Sequence, residues 1–565
     1  MRVNSDQAAT GSPSTAKPKR HFGRAFWTLN TIEMWERLAY YNLRVMAPIY
    51  IMQADNPGGL HLTAANKGTI YAWWAIFQSL LPVVTGGLAD RFGYKRTLGF
   101  AVSTMMLGFL LIAFVRDIPA LDSLATALGS FGNGIKQLHV EPGVLGNIWN
   151  WCVDAFGAFF VQSGNYWGFF FAILVLATGT AFFKPSIQGS LAHQLTKENS
   201  SVGWGIFYWV VNVGAYVGHF LPSLFLLKGW FGAPVNSPEA WRNLFLASAV
   251  FTSFNLLLMF VFKDIPSGAS KTEGLGQVLW RTVTNIVEPR LLSFILIMSC
   301  FWLMMYQLWD LQPNFIADWV DSAPMAQSLQ FLPEGLRKVF VEQTTRGPMI
   351  PQQVLLSFNA FFIILGVVGM AWLTRRMRTL EAMLIGMCMA TVGVLVAGWT
   401  QSAWMLVLGI LCFSLGEMMT GPKKSEYLGL IAPPGKKGLY LGYVNIPVGI
   451  GVFLGSWIAG IVYGRFGEKA NLALRYLAEK TPFGEGKSWN GDMMSLEDTL
   501  GVKRTEAMAK LQEVTGMDPI AATQKLWDTY NPHYVWIPFA LIGVVAAIAL
   551  WIFGRMARKW QDMDA

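Results

Sequence analysis

Residues Gly86-Gly87-Leu88-Ala89-Asp90-Arg91-Phe92-Gly93-Tyr94-Lys95-Arg96 form a short basic turn between two long apolar stretches, 68–89 and 95–115. Each stretch is as long as a bilayer-crossing helix requires, so the turn between them reverses the chain at a membrane surface. Its glycines permit close helix approach, and Asp90 can receive a helix amino terminus or an arginine. Gly87, Asp90, Arg91 and Gly93 are therefore expected to act as a conformational latch.

Apolar stretches of this length recur along all 565 residues, of which 53% are hydrophobic and only 14% charged. A soluble domain averages roughly 25% charged residues, so the excess is membrane helix and not one large soluble core. The expected fold is an all-α membrane protein of about twelve transmembrane helices in two six-helix bundles. The first six lie near 26–52, 68–89, 95–115, 166–191, 204–228 and 241–263. The second six lie near 291–317, 351–374, 379–399, 403–431, 438–464 and 534–554. Residues 1–22 read as a tail, and 23–263 as the first bundle with an insertion at 116–165. The polar stretch 264–290 reads as a linker helix, with apolar residues at helical spacing. Residues 291–565 form the second bundle, with insertions at 318–350 and 465–533; Lys503 to Tyr530 carries the pattern of a small helical cap.

The net charge of +9 does not point to nucleic acid, because the basic residues cluster between alternate spans. Examples are Arg91, Lys95 and Arg96; Arg375, Arg376 and Arg378; Lys436 and Lys437; and Arg555, Arg558 and Lys559. The positive-inside bias then puts both termini in the cytoplasm and all three insertions outside, in a multi-pass cell-membrane protein. The polar start lacks a cleavable leader, so the first span is expected to serve as insertion signal. The four cysteines, at 152, 300, 388 and 412, show no metal or disulfide spacing. No nucleotide-binding loop, metal cluster or catalytic triad is legible, so no enzyme activity, cofactor or metal is expected. Two six-helix halves, a central linker and the 86–96 turn together resemble the major facilitator superfamily.

The first span carries four charges, each costing roughly 2.5–3.5 kcal/mol on insertion scales. Glu33, Glu36, Arg37, Tyr40, Tyr41 and Arg44 recur at spacings of three and four and share one helix face. A polar stripe on an apolar helix lines a water-filled path. Carboxylates sharing an arginine in a partly dehydrated cavity exchange protons as a coupled set. Counting residues inward from one membrane face puts Glu33 and Lys184 at one depth, about 9 Å inside it. A purely structural ion pair is the alternative reading.

The string Glu33-Met34-Trp35-Glu36-Arg37-Leu38-Ala39-Tyr40-Tyr41 resembles the ExxERFxYY signature of the proton-dependent oligopeptide transporter (POT/PTR) family, with Leu38 in place of Phe. Gly179-Thr180-Ala181-Phe182-Phe183-Lys184-Pro185 and Phe207-Tyr208-Trp209-Val210-Val211-Asn212-Val213-Gly214 extend the likeness. In the second half it is sparser: Phe301-Trp302 with Gln307, Gln353 with Asn359, and Gly416-Glu417 with Pro422. The resemblance implies a symporter that imports di- and tripeptides with protons by alternating access. It assigns proton coupling to Glu33, Glu36, Arg37, Lys184 and Glu417. The peptide carboxylate would meet Arg37, Lys184, Tyr40 and Tyr41; the amine would meet Asn212, Asn359 and Glu417. The implied partners are a small peptide, protons and the lipid bilayer, and a single chain is expected to function as a monomer.

Three departures leave other readings open. Span 7 lacks the family's acid before Gln307, and Asp310 comes a turn late. Lys423 and Lys424 follow Pro422 where the family tends to have small or apolar residues. In span 11, Tyr443 stands where Trp is common. Lys424 could pair with Glu33, Glu36 or Glu426, add positive charge to the cavity, or reach the interface with Lys423. A carrier of the same fold for another small, possibly anionic, metabolite is one alternative; a nontransporting receptor or scaffold is another.

Overall fold

The computed structural model describes residues 22–141, 143–196, 199–261, 286–432, 440, 443–487 and 489–559. Most of the expected linker helix, nearly all of the tail, and Lys436 with Lys437 lie outside the described residues. Twelve long helices form the body: Arg24–Met52, Ala64–Phe92, Tyr94–Ala113, Gly164–Ala192, Ser200–Gly218 and Pro238–Leu258 in the first half. The second half has Pro289–Met305 (continued by Gln307–Asp310 and Gln312–Trp319), Gln352–Thr374, Thr379–Gly398, Ala403–Ile431, Ile446–Phe466 and Ile537–Lys559. These are spans 1 to 12. Among the described residues, eleven helices are long and apolar enough to cross a membrane. Span 1 is not among them because Glu33, Glu36, Arg37 and Arg44 interrupt its apolar sequence, so it depends on partners in neighbouring spans.

Local sequence sets the helix ends. Thr63, Ser163 and Ser237 accept backbone N–H groups at the starts of spans 2, 4 and 6. Spans 2 and 3 join through the single residue Gly93 at φ +94°, a conformation that side chains other than glycine rarely adopt. Gly87 behaves otherwise than expected: a Cβ there would meet no atom within 4 Å, so it mediates no close helix approach in this conformation. The Asp90 side chain lies outside the described residues. Close approach occurs deeper in the bundles. A Cβ on Gly108 would come within 2.8 Å of Leu176, joining spans 3 and 4, and one on Gly393 within 2.5 Å of the Phe413 backbone, joining spans 9 and 10.

The insertions are folded. The first carries helices Ala120–Lys136 and Val144–Phe160. The second carries an antiparallel hairpin, Glu342–Thr344 with Gly347–Met349, the one departure from all-α structure among the named elements. The third carries Lys469–Lys480, Leu496–Leu500, Ala507–Thr515 and Pro519–Tyr530. Leu472, Leu477, Leu496, Leu511 and Leu526 are buried in it, so it is a packed helical cap.

The cap and the hairpin stand at the end of the bundle where the two halves meet. Span 2 lies against span 11, with Gly68 facing Ser456 and Gly460. Lys67 Nζ sits 2.7 Å from Asp310 Oδ1, both side chains fully buried, and donates to the Asp310 carbonyl at 2.7 Å. Gln53 donates to Asp318 at 2.8 Å, and Asn314 to the Pro48 carbonyl and Gln53 at 3.1 Å each. Arg504 of the cap pairs with Glu468 at 2.6 Å and donates to the carbonyls of His61 and Leu62, binding the cap to both halves. These contacts all lie at what we term the insertion end; the opposite end is the linker end.

Removing one partner of a buried ion pair leaves an uncompensated charge, at a cost of about 3–5 kcal/mol. Lys67→Met and Asp310→Leu should each lower the melting temperature of the purified protein, and the double variant should recover most of that loss; additive losses would show that the two charges do not compensate each other. Burial raises the carboxyl of Glu342 above its ordinary 4.5, against a hydrogen bond from Asn236 that lowers it. The stability it contributes is therefore greatest below the unfolded value and falls as pH rises through the raised one. Glu342→Gln should flatten the pH dependence, stabilising the fold more at pH 8 than at pH 4.5 in thermal unfolding.

Candidate functional site

Between the halves, toward the linker end from the Lys67–Asp310 pair, the polar stripe of span 1 is buried. Gly214 and Gly218 of span 5 let that helix approach span 1: a Cβ at Gly214 would lie 2.6 Å from the Met34 carbonyl and 3.0 Å from Arg37 Cβ. Asn42, off the stripe, donates to Ser248 Oγ at 2.8 Å and to the Leu244 carbonyl, tying span 1 to span 6. Trp35 stacks on Phe251 on that same side. Held by these contacts, the helix presents its acids to the gap between the halves.

Arg37 forms a two-pronged pair with Glu36 and lies 3.5 Å from Glu33. Lys184 donates to Glu33 Oε1 from span 4. Pro185 helps to aim it: a proline lacks the N–H that would bond the Ala181 carbonyl, and that carbonyl instead accepts from Thr85 of span 2 at 2.6 Å. Glu33 is fully buried, and its second oxygen has no hydrogen-bond partner among the described residues. Lys184 is 26% exposed. The cluster thus joins a dry carboxylate to a lysine that water reaches.

Further along the stripe, Tyr40 donates to Gln78 at 3.0 Å and lies under the Arg37 guanidinium. Tyr41 packs against His219 and Trp309. Arg44 lies over the rings of Tyr71, Trp74 and Tyr306, at 4.4, 4.6 and 5.8 Å from their centroids. From the second half, Asn359 donates to Glu417 at 3.1 Å and to Ser414 at 3.0 Å. Asn212 donates one amide N–H to the Tyr208 carbonyl of its own helix, so its amide oxygen remains an acceptor. Lys423 pairs with Glu426 at 2.9 Å, whereas Lys424 turns inward over the Trp302 ring, 4.2 Å from its centroid. The two neighbouring lysines therefore behave differently. Tyr443, read as reshaping a side-chain pocket, is fully buried.

The structure brings together Glu33, Glu36, Arg37 and Lys184, and separately Asn359 and Glu417. Lys67 falls outside the expected spans, one residue before the expected start of span 2; the helix in fact begins at Ala64. A lysine inside a membrane helix was the available signal. Asp310, a turn later than expected, finds its partner there. Gln53, Asn314 and Arg504 carried no local signal for their contacts across the halves, since Asn314 lies 261 residues from Gln53, and Arg504 lies 443 and 442 residues from His61 and Leu62.

No protein-family model matches the chain. A di-/tripeptide transporter of Lactococcus lactis subsp. lactis is 27% identical over 225 residues, 39% of this chain and 34% of that protein. The chain spans about a third or less of the length of such curated relatives. A solved structure described as giving insight into substrate recognition in proton dependent oligopeptide transporters matches with a TM-score of 0.58 at 16% identity, over 95% of this chain and 99% of that one. The nucleoside transporter NupG matches equally well, with a TM-score of 0.58 at 11% identity over 94% and 99%. Backbone likeness therefore establishes the fold without selecting the cargo. By fold the chain is a major facilitator-type membrane protein, and over part of its length its sequence is similar to di- and tripeptide transporters.

Proposed function

We propose that the chain is a proton-coupled symporter that imports di- and tripeptides through the cell membrane by alternating access. The observation that carries this reading is the buried Glu33–Lys184 and Glu36–Arg37 cluster facing the gap between two halves that meet at the insertion end. On this reading the insertion end is outside, the linker end and both termini are cytoplasmic, and the conformation is closed to the outside. The chain works as a monomer, since one chain supplies both halves and every site residue.

A peptide is a zwitterion and needs a cation for its carboxylate and an acid for its amine. Arg37 and Lys184, with Tyr40 and Tyr41, serve the first need; Glu417, Asn359 and Asn212 serve the second. A proton from outside moves onto Glu33 or Glu36 once the Lys67–Asp310 contact opens. Lys184 is then free to hold the peptide carboxylate. When the halves close outside and part toward the cytoplasm, the proton leaves to water, the Glu33–Lys184 pair re-forms and the peptide is displaced. Gly87, Asp90, Arg91 and Gly93 form the latch at the end that opens. Recognition of the peptide termini, with side chains loosely held, makes such a carrier tolerant of sequence.

Proteoliposomes given an inward proton gradient should accumulate labelled dialanine. Glu33→Gln and Glu36→Gln should abolish the gradient-driven component. Accumulation that ignores the gradient, or variants coupled as in the wild type, would contradict the reading.

A further inference from the structure

Two cations of the central site lie within ion-pair distance of no carboxylate among the described residues. Arg37 and Lys184 are compensated by Glu33 and Glu36, and Lys67 by Asp310. Arg44 and Lys424 make no ion pair among the described residues, although they are only 5% and 8% exposed. Each ammonium or guanidinium lies against aromatic faces instead. Those faces are connected: Lys424 sits over Trp302, Trp302 packs on Tyr306, and Tyr306 also faces Arg44. Trp302 contributes an indole N–H that is buried with no partner among the described residues. Glu417, two turns before Lys424 on span 10, accepts from Asn359.

Counted over the site, four cations (Arg37, Arg44, Lys184, Lys424) face three acids (Glu33, Glu36, Glu417). A zwitterionic dipeptide adds one charge of each sign and leaves the excess unchanged. One more carboxylate removes it. A buried, uncompensated ammonium is expensive, and an incoming anionic group that reaches it gains a charge-assisted hydrogen bond where water is scarce. The Trp302 indole N–H, buried without a partner among the described residues, is a second donor, carried by the ring that Lys424 covers.

We propose that Lys424 and Trp302 form a specificity subsite for a carboxylate beyond the peptide's own terminus, so that the carrier prefers peptides with an Asp or Glu side chain. This rests on the peptide-symporter reading given above. The groups facing Lys424 are Trp302 from span 7 and Glu417 from its own helix; Lys423 is engaged by Glu426 on the other side of span 10. Glu417 is left for the peptide amine, while Lys424 takes the side-chain carboxylate.

The test uses the full-length wild-type protein, Lys424→Gln and Lys424→Arg in proteoliposomes, with dialanine, Ala-Glu and Ala-Lys as cargo. The wild type should take up Ala-Glu with a lower KM than dialanine, and Ala-Lys with a higher one. Lys424→Gln should lower the ratio of Ala-Glu to dialanine specificity by about tenfold, and Lys424→Arg should restore most of it. Dialanine uptake without an acidic preference in the wild type, or a preference that survives Lys424→Gln, would overturn the subsite while leaving the symporter reading intact. Should Lys424→Gln not fold, the wild-type ranking of the three peptides decides. If none of the three is carried, the symporter reading fails by itself; glutarate that raises the melting temperature of the wild type but not of Lys424→Gln would then still support the carboxylate subsite, and glutarate without effect would overturn it.

Discussion

The burial of charge on span 1 constrains the whole structure. Four charged side chains on one membrane helix are tolerated only where opposite charge or aromatic faces surround them; Arg37 pairs within span 1 with Glu36, and other spans supply the rest. Lys184 comes from span 4, the rings around Arg44 from spans 2 and 7, and the close contact beside Arg37 from glycines in span 5. Remove these neighbours and the helix fails the requirements of a membrane span. Folding of the first half and assembly of the site are thus one event, because the residues that make span 1 useful also make it unstable alone.

A second polar layer joins the halves at the insertion end. Lys67–Asp310, Gln53–Asp318 and Asn314 lie between spans, and Arg504 and Lys469 bring the cap into the same layer. On the proposed alternating-access reading these contacts break and re-form, so their strength cannot rest on apolar packing alone, which has no discrete open state of its own. Charged groups that water can solvate once the halves part provide one. The cap is placed to influence that step, since Arg504 holds carbonyls of one half and an acid of the other.

The fold was legible because apolar spans and basic turns follow directly from the bilayer as solvent. The first-half site was legible for a related reason: charges in a membrane helix are rare enough to stand out, and counting residues inward placed Glu33 and Lys184 at one depth before any contact was known. What escaped was pairing across the halves. Lys67 stood one residue beyond the estimated edge of its span, and Asp310 read as an acid out of register until its partner was placed beside it. Lys423 and Lys424 turn to different surroundings because neighbours on a helix point about 100° apart, and the sequence does not say which of the two faces the gap. Two of the partners of Arg504, the His61 and Leu62 carbonyls, are backbone groups with no side-chain signature.

On the proposed reading, protons move with the peptide through the span 1 cluster. Proteoliposomes loaded with a pH-sensitive dye and given no initial gradient test it directly. Adding dialanine outside should acidify the lumen, and Glu33→Gln should abolish the signal. Peptide entry with no change in internal pH would contradict the account.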